Sequence, residues 1–253
     1  MILDDFSLKG KVAVVTGANT GLGQGMCVAL AQAGATVAGV ARRECTETAS
    51  LIQKDGGEFT EVLADLSKPE SVDLILEKVL SVYGHVDILV NNAGIILRED
   101  AINVTAEDWN KVINLNLNMV FLMSQAFARQ YIEQGTGGKI VNIASMTSFQ
   151  GGIRIPAYTS SKSAVLGLTR ALANEWASKG INVNAIAPGY MATNNTTQLR
   201  DDEKRAGEIL ERIPAGRWGT PQDVAGAVVF LCSKAADYVH GFTVAVDGGW
   251  LAR

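Results

Sequence analysis

Residues 11–25 read KVAVVTGANTGLGQG: an apolar, β-branched run, then Gly17, Gly21 and Gly23 in a T-G-x-x-x-G-x-G spacing, then the start of a helix-like pattern. A glycine cluster alone also makes ordinary turns. This one follows a predicted strand and opens a predicted helix, which is the context a dinucleotide site demands. Glycines let the backbone approach a pyrophosphate, and the free N–H groups at a helix start meet its charge. Nucleotide binding is the first functional expectation.

The same rhythm continues to the end of the chain. Strand-like runs fall at 11–16, 36–41, 59–64, 86–91, 139–144, 182–187 and 242–246. Between them lie amphipathic patterns such as GQGMCVALAQAG (23–34), PESVDLILEKVLSVYG (69–84), a long one over 105–134, and KSAVLGLTRALANEWASKG (162–180). Runs apolar on both faces, alternating with helices, predict a parallel sheet covered on both sides. No linker or internal repeat divides residues 1–253, so one domain is expected. Residues 191–222 are polar and break the rhythm after the sixth strand; their length favours a functional lid over a plain connection.

Composition narrows the function. The chain has 253 residues, 47% of them apolar, and a formal charge of -4. That mild acidity, with Lys and Arg scattered, gives no support to a nucleic-acid partner. Cys27, Cys45 and Cys232 are far apart and lack CxxC spacing, so neither a disulfide framework nor a zinc site is implied, and a reducing compartment suits them. The N-terminus carries acids where a signal peptide carries bases, and no stretch approaches a membrane span. A cytoplasmic protein without a membrane partner is expected. Only His85 and His240 are available for a His-based triad or metal site, so no metal is expected.

Other polar stretches fall at the C-terminal ends of predicted strands, where ligands bind in an open α/β sheet. They are ADLS (64–67) with Asp65, NNAG (91–94), NIAS with Ser145, and APGYMAT (187–193). YTSSK (158–162) places Tyr158 and Lys162 four apart, on one face of a helix. Alone, the pair reads more readily as exposed polar residues than as a catalytic pair, and the other stretches as turns or helix caps.

Taken together, TGANTGLG, NNAG, Asn116 in NLNLNMVF, Ser145, YTSSK and PGYMAT resemble the short-chain dehydrogenase/reductase superfamily over essentially the whole chain. Within it, IASMTSFQGGIRIPAYTSSKS and the AVDGGWLAR end look like a branch acting on keto-deoxy sugar acids. The resemblance implies a single Rossmann-type doubly wound domain, a seven-stranded parallel sheet with helices on both faces. It implies Tyr158 as acid/base, Lys162 beside it to lower the phenol pKa, Ser145 on the reacting oxygen, and Asn116 at a helix kink. For the cofactor it implies Gly17, Asn19, Thr20, Gly21, Leu22 and Gly23 at the pyrophosphate. Asp65 and Leu66 fall at the adenine, and Asn91, Ala93 and Gly94 beside the ribose. Pro188, Gly189 and Thr193 fall at the nicotinamide end. The acid that usually reads the adenosine ribose is replaced by Ala41, followed by Arg42, which suits a 2′-phosphate; the branch itself is associated with NAD(H), so NAD(H) and NADP(H) both stay open. A sugar-acid substrate needs a cation and polar donors. Candidates are Arg98, Gln150, Arg154, Tyr190, Asn194 and Asn195, with Trp250 capping from a neighbouring subunit of a homotetramer. A non-catalytic nucleotide-binding protein would keep the glycine loop without needing Ser145, Tyr158 and Lys162 together.

Overall fold

A computed structural model describes residues 1–253. All seven expected strands are present: β1 (Val12–Thr16), β2 (Thr36–Ala41), β3 (Phe59–Leu63), β4 (Ile88–Asn91), β5 (Gly138–Ile143), β6 (Ile181–Pro188) and β7 (Thr243–Val246). They form one parallel sheet in the order β3-β2-β1-β4-β5-β6-β7. The order reverses between β1 and β4, which lie side by side with Val14 opposite Leu89. That reversal opens the crevice in which an α/β sheet binds its ligand.

Side chains of β1 alternate between two cores. Ala13 and Val15 join Met26 and Leu30 of α1 (Gly21–Gln32), Ile52 of α2 (Thr46–Lys54), and, from further along the chain, Val228 and Leu231. Val12 and Val14 face the other way, toward Ile75 and Val79 of α3 (Ser71–Tyr83). The clusters hold 24 and 22 buried residues, so neither face of the sheet is left to solvent.

The expected long helix over 105–134 is interrupted. It runs as α4 (Ala106–Ile113), one π-helical turn (Asn114–Asn118) and α5 (Met119–Gln134). The Asn116 side chain occupies the turn's inner side, accepting from Ile95 N and donating to Ile95 O, both at 2.9 Å. Such turns are rare and concentrate at functional sites. After β5, α6 (Pro156–Trp176) starts with proline in its first turn, where no N–H is needed. The expected insertion folds as a short turn (Asn194–Thr196), α7 (Thr197–Asp201) and α8 (Glu203–Arg212), before α9 (Ala225–Cys232) returns to the sheet. No helix is long and apolar enough to cross a membrane.

Candidate active site

The glycine loop leaves β1 at the switch point and turns into α1. Gly17 has φ +69°, a left-handed conformation that side chains resist. At Gly23 a Cβ would lie 2.0 Å from Gly17 O, so only hydrogen fits there. The N-terminus of α1 therefore sits hard against the loop, its first N–H groups facing the cleft.

One cleft is lined by Gly17, Gly21 and Gly23 together with Ser145, Tyr158 and Lys162. Asn19, Thr20, Leu22, Ala93 and Gly94 line the same wall, and Pro188, Gly189, Thr193, Asn194 and Asn195 close its far side. A continuation of the cleft is lined by Arg42, Asp65 and Leu66, and shares Gly17, Ala93 and Asn195 with the first part. The glycine loop, the tyrosine–lysine pair and the end of β2 thus border a single trough.

Lys162 is buried, and its Nζ donates to Ile143 O at 2.6 Å. Burial pulls its pKa down to about 8. Nζ lies 5.8 Å from the Tyr158 ring centroid. Burial pushes the Tyr158 phenol up, while a hydrogen bond with Ser145 and the Arg98 charge pull it down. Burial is the larger effect. Ser145 Oγ accepts from Thr147 N at 3.2 Å, which fixes the hydroxyl at the head of a short helical turn (Met146–Ser148). Asn116 stands behind the pair, donating to Ser161 Oγ at 3.3 Å, and Ser161 donates to Tyr158 O at 2.7 Å.

Several expected residues stand elsewhere. The Asn91 amide is spent on Ser124 Oγ and Asn142 Oδ1, at 3.0 and 2.9 Å, inside the fold; Asn92 lines the cleft instead. Arg154 is not on the cleft: its backbone is left-handed at φ +63° and its Nε pairs with Asp100 at 2.9 Å on the surface. Gln150 accepts from Arg212, at 3.4 Å. Tyr190 packs its ring on Trp218 and Trp250. Trp250 is buried within its own subunit among Met146, Ile209 and Ile213. Arg98 is the cation that remains: part-buried, it acts on Tyr158 and donates from Nη2 to Asn195 O at 3.0 Å. Sequence reasoning missed Ser148, whose hydroxyl accepts from Ser145 N and donates to Lys162 O, joining the two residues. Its position three after a capping serine was the available signal.

The family model described as "Enoyl-(Acyl carrier protein) reductase" matches residues 17–251. The chain belongs to the short-chain dehydrogenase/reductase family. Its members are NAD(P)-dependent oxidoreductases, and the glycine cradle here fits such a cofactor. A 2-dehydro-3-deoxy-D-gluconate 5-dehydrogenase of Escherichia coli (strain K12) is 61% identical over 253 residues, 100% of each chain. A structure from Agrobacterium tumefaciens, proposed to be a 2-deoxy-d-gluconate 3-dehydrogenase and holding NADP, is 55% identical with TM-score 0.93, covering 99% of this chain and 100% of that one. A gluconate 5-dehydrogenase from Burkholderia cenocepacia J2315, in complex with NADP and tartrate, is 36% identical with TM-score 0.95 and 100% coverage of both.

Burial of Lys162 has a measurable consequence for this dehydrogenase fold. Its folded pKa of about 8 lies below the ordinary 10.5. Below that window both states are charged and the folded state bears the whole desolvation cost. Across the window the unfolded chain keeps a proton the folded chain has lost, so this group's contribution to stability improves as pH rises. Lys162→Met should therefore stabilise the protein near neutral pH by about 2 kcal/mol: relief of about 3 kcal/mol of desolvation, less about 1 kcal/mol for the lost bond to Ile143. Denaturant unfolding near neutrality and again above the window should show the advantage shrinking with pH.

Proposed function

We propose that this chain is a cytoplasmic 2-dehydro-3-deoxy-D-gluconate 5-dehydrogenase, interconverting a secondary alcohol and the 5-ketone of a keto-deoxy sugar acid. The observation that carries this reading is the presence of Ser145, Tyr158 and Lys162 on one cleft with the glycine loop; Arg98, bonded to Asn195 O of that cleft's wall, adds a cation whose charge reaches the phenol. The names of its relatives support the substrate class. The three cysteines are free thiols, which suits a reducing compartment.

In the proposed chemistry Ser145 holds the reacting oxygen and Tyr158 gives or takes its proton. The nicotinamide, when bound, supplies or accepts the hydride. Lys162 keeps positive charge near the phenol, and Asn116, braced on Ile95 and Ser161, holds the helix turn behind it. Tyr158→Phe keeps the ring and loses only the hydroxyl. Turnover should fall ~10²–10⁴-fold while cofactor titration stays close to the wild-type curve; a variant retaining a tenth of the activity contradicts the role.

Two arginines divide recognition in this proposal. Arg98 pairs with the substrate carboxylate, and Arg42, next to Ala41 and bordering the cleft with Asp65, meets a 2′-phosphate. The Asp65 carboxyl is held below its usual range, chiefly by hydrogen bonds from Ser67, with Arg42 and Lys68 adding to the effect. It therefore stays ionised beside Arg42 at neutral pH. The expected pattern is a split. Arg98→Ala should raise KM for 2,5-diketo-3-deoxygluconate by about tenfold or more and leave cofactor KM near wild type. Arg42→Ala should lower kcat/KM with NADPH about tenfold and spare NADH. Arg154→Ala, at the surface pair with Asp100, should do neither. Initial rates followed by nicotinamide absorbance measure all three, and turnover of an acyl thioester alone would overturn the substrate class.

The assembly proposed is a homotetramer of 222 symmetry. Trp109, Phe121 and Ile132 are exposed along α4 and α5, and Tyr238 and Phe242 are exposed beside β7, an edge strand. Exposed apolar patches on two sides suit two independent interfaces. Light scattering at micromolar concentration should return the mass of four chains; a monomer would refute the assembly.

A further inference from the structure

We propose that Trp250 is a positioning residue: seated on the last turn of the chain, it holds α8 against the turn that carries Ser145 and so sets how the lid covers the substrate. The proposal rests on the reading of the cleft as a ketone-reducing site.

Trp250 is 4% exposed and packs with Met146, Ile209 and Ile213. Those neighbours come from two different parts of the site. Met146 directly follows Ser145, and Ile209 is the one buried residue of α8. Arg212, at the end of α8, lays its guanidinium 4.0 Å over the Trp250 ring and donates to Gln150 at 3.4 Å. The lid is thus joined to the segment after Ser145 at two points, with the indole between them. On its other side the ring meets Tyr190 edge-on, with centroids 4.8 Å apart. Tyr190 directly follows Gly189 of the cleft wall.

The seat under Trp250 is fixed. The Asp247 carboxylate, just beyond β7, accepts from Gly249 N and Leu251 N, each at 2.9 Å. Ala215 N, where the lid returns, donates to Gly248 O at 2.9 Å. Elsewhere the lid is held by Leu199 of α7 and Trp218, packed against the same cluster, by Gly219 N donating to Tyr190 O at 2.9 Å, and at its front by the Arg98 bond to Asn195 O. The Trp250 Nε1–H is buried without an acceptor. What the fold presents at this position is the indole's shape and its face toward Arg212.

The test compares Trp250→Ala, Trp250→Phe and Arg212→Ala by thermal unfolding and by steady-state kinetics with NADPH and 2,5-diketo-3-deoxygluconate. Trp250→Ala should raise KM for the sugar acid by about tenfold or more, because the lid closes out of place. KM for NADPH should stay within about twofold, since the adenosine end of the cleft does not touch the cluster. Trp250→Phe should recover most of the loss. Arg212→Ala, a surface change, should raise the sugar-acid KM in the same direction without lowering Tm. A folded Trp250→Ala with wild-type KM overturns the proposal, as does an equal rise for both substrates. If Trp250→Ala does not fold, an unchanged sugar-acid KM in Arg212→Ala overturns it. Wild-type turnover is measured first: if another ketone is the substrate, the proposed function fails while the same variants on that ketone still decide the anchor.

Discussion

Thr16 Oγ1 accepts two backbone N–H groups, from Asn92 and Ala93, each at 2.9 Å, across the gap where β1 and β4 meet. Asn92 answers by donating to Thr16 O at 2.8 Å. These bonds close the sheet at the one place where its connectivity drives neighbouring loops apart. Without them the loop after β4 could swing from the glycine loop, and the cleft would lose a wall. The same contact dictates composition. A Cβ on Gly17 would sit 2.8 Å from Asn92 Nδ2, and one on Gly23 2.6 Å from it, so the tight closure excludes side chains from both positions. What makes the site a possible home for a pyrophosphate, bare backbone at a helix start, is thus also what holds the sheet together there.

Behind that wall a chain of buried amides and hydroxyls is paired. Asn91 donates to Asn142, and Asn142 to Thr169 Oγ1 at 3.0 Å, a chain of bonds crossing from β4 through β5 to α6. A buried amide left unpaired would cost more than an apolar residue of the same shape, so each member depends on the next. The network fixes the depth at which α6 lies on the sheet, and with it the height of Tyr158 and Lys162 above the strand ends. Lys162 is held in this frame at the expense of its own solvation. Such a cost is tolerated where a group must be placed exactly as the frame dictates, and the surrounding apolar cores supply the margin.

The parallel sheet was legible because its central strands are apolar on both faces, and only buried strands look like that. The helices α1, α3, α5 and α6 announced themselves by long amphipathic patterns, whereas α2 did not: its buried residues are Thr48 and Ile52 alone, too few to make a periodic signal. Periodicity gave no sign of the π-helical turn; only the resemblance placed a kink at Asn116, whose side chain bonds to Ile95 some twenty residues earlier in the chain. Ser145, Tyr158 and Lys162 could be placed on one cleft from motif and spacing because each rides on a regular element whose direction is set by the sheet. The substrate candidates fared less well. Arg98, Arg154 and Gln150 look alike in sequence, and nothing local says that Arg154 finds Asp100 or that Gln150 finds Arg212. The cluster around Trp250 was hidden for the same reason, because its partners are drawn from residues far apart in the chain.

Rigid and mobile parts divide the work of the molecule. Ser145 lies just past β5, which packs into both cores, and Tyr158 and Lys162 stand on α6, which joins the second core through Leu172, Ala173 and Trp176, so shifting them would disturb many buried contacts at once. The 191–222 segment buries Met191, Ile209 and Ile213 and packs Leu199 and Trp218 beside Trp250, far fewer residues than either main core holds, so opening it exposes less apolar surface than shifting the sheet would. Moving it is therefore cheap in the same currency that makes moving Tyr158 expensive. Polar groups that could recognise a substrate, Asn194 and Asn195 on the lid and Arg98 beneath it, lie along the boundary between the two parts. In the proposed reaction, a ligand that bridges this boundary would couple its own recognition to the exclusion of water from the site of proton transfer.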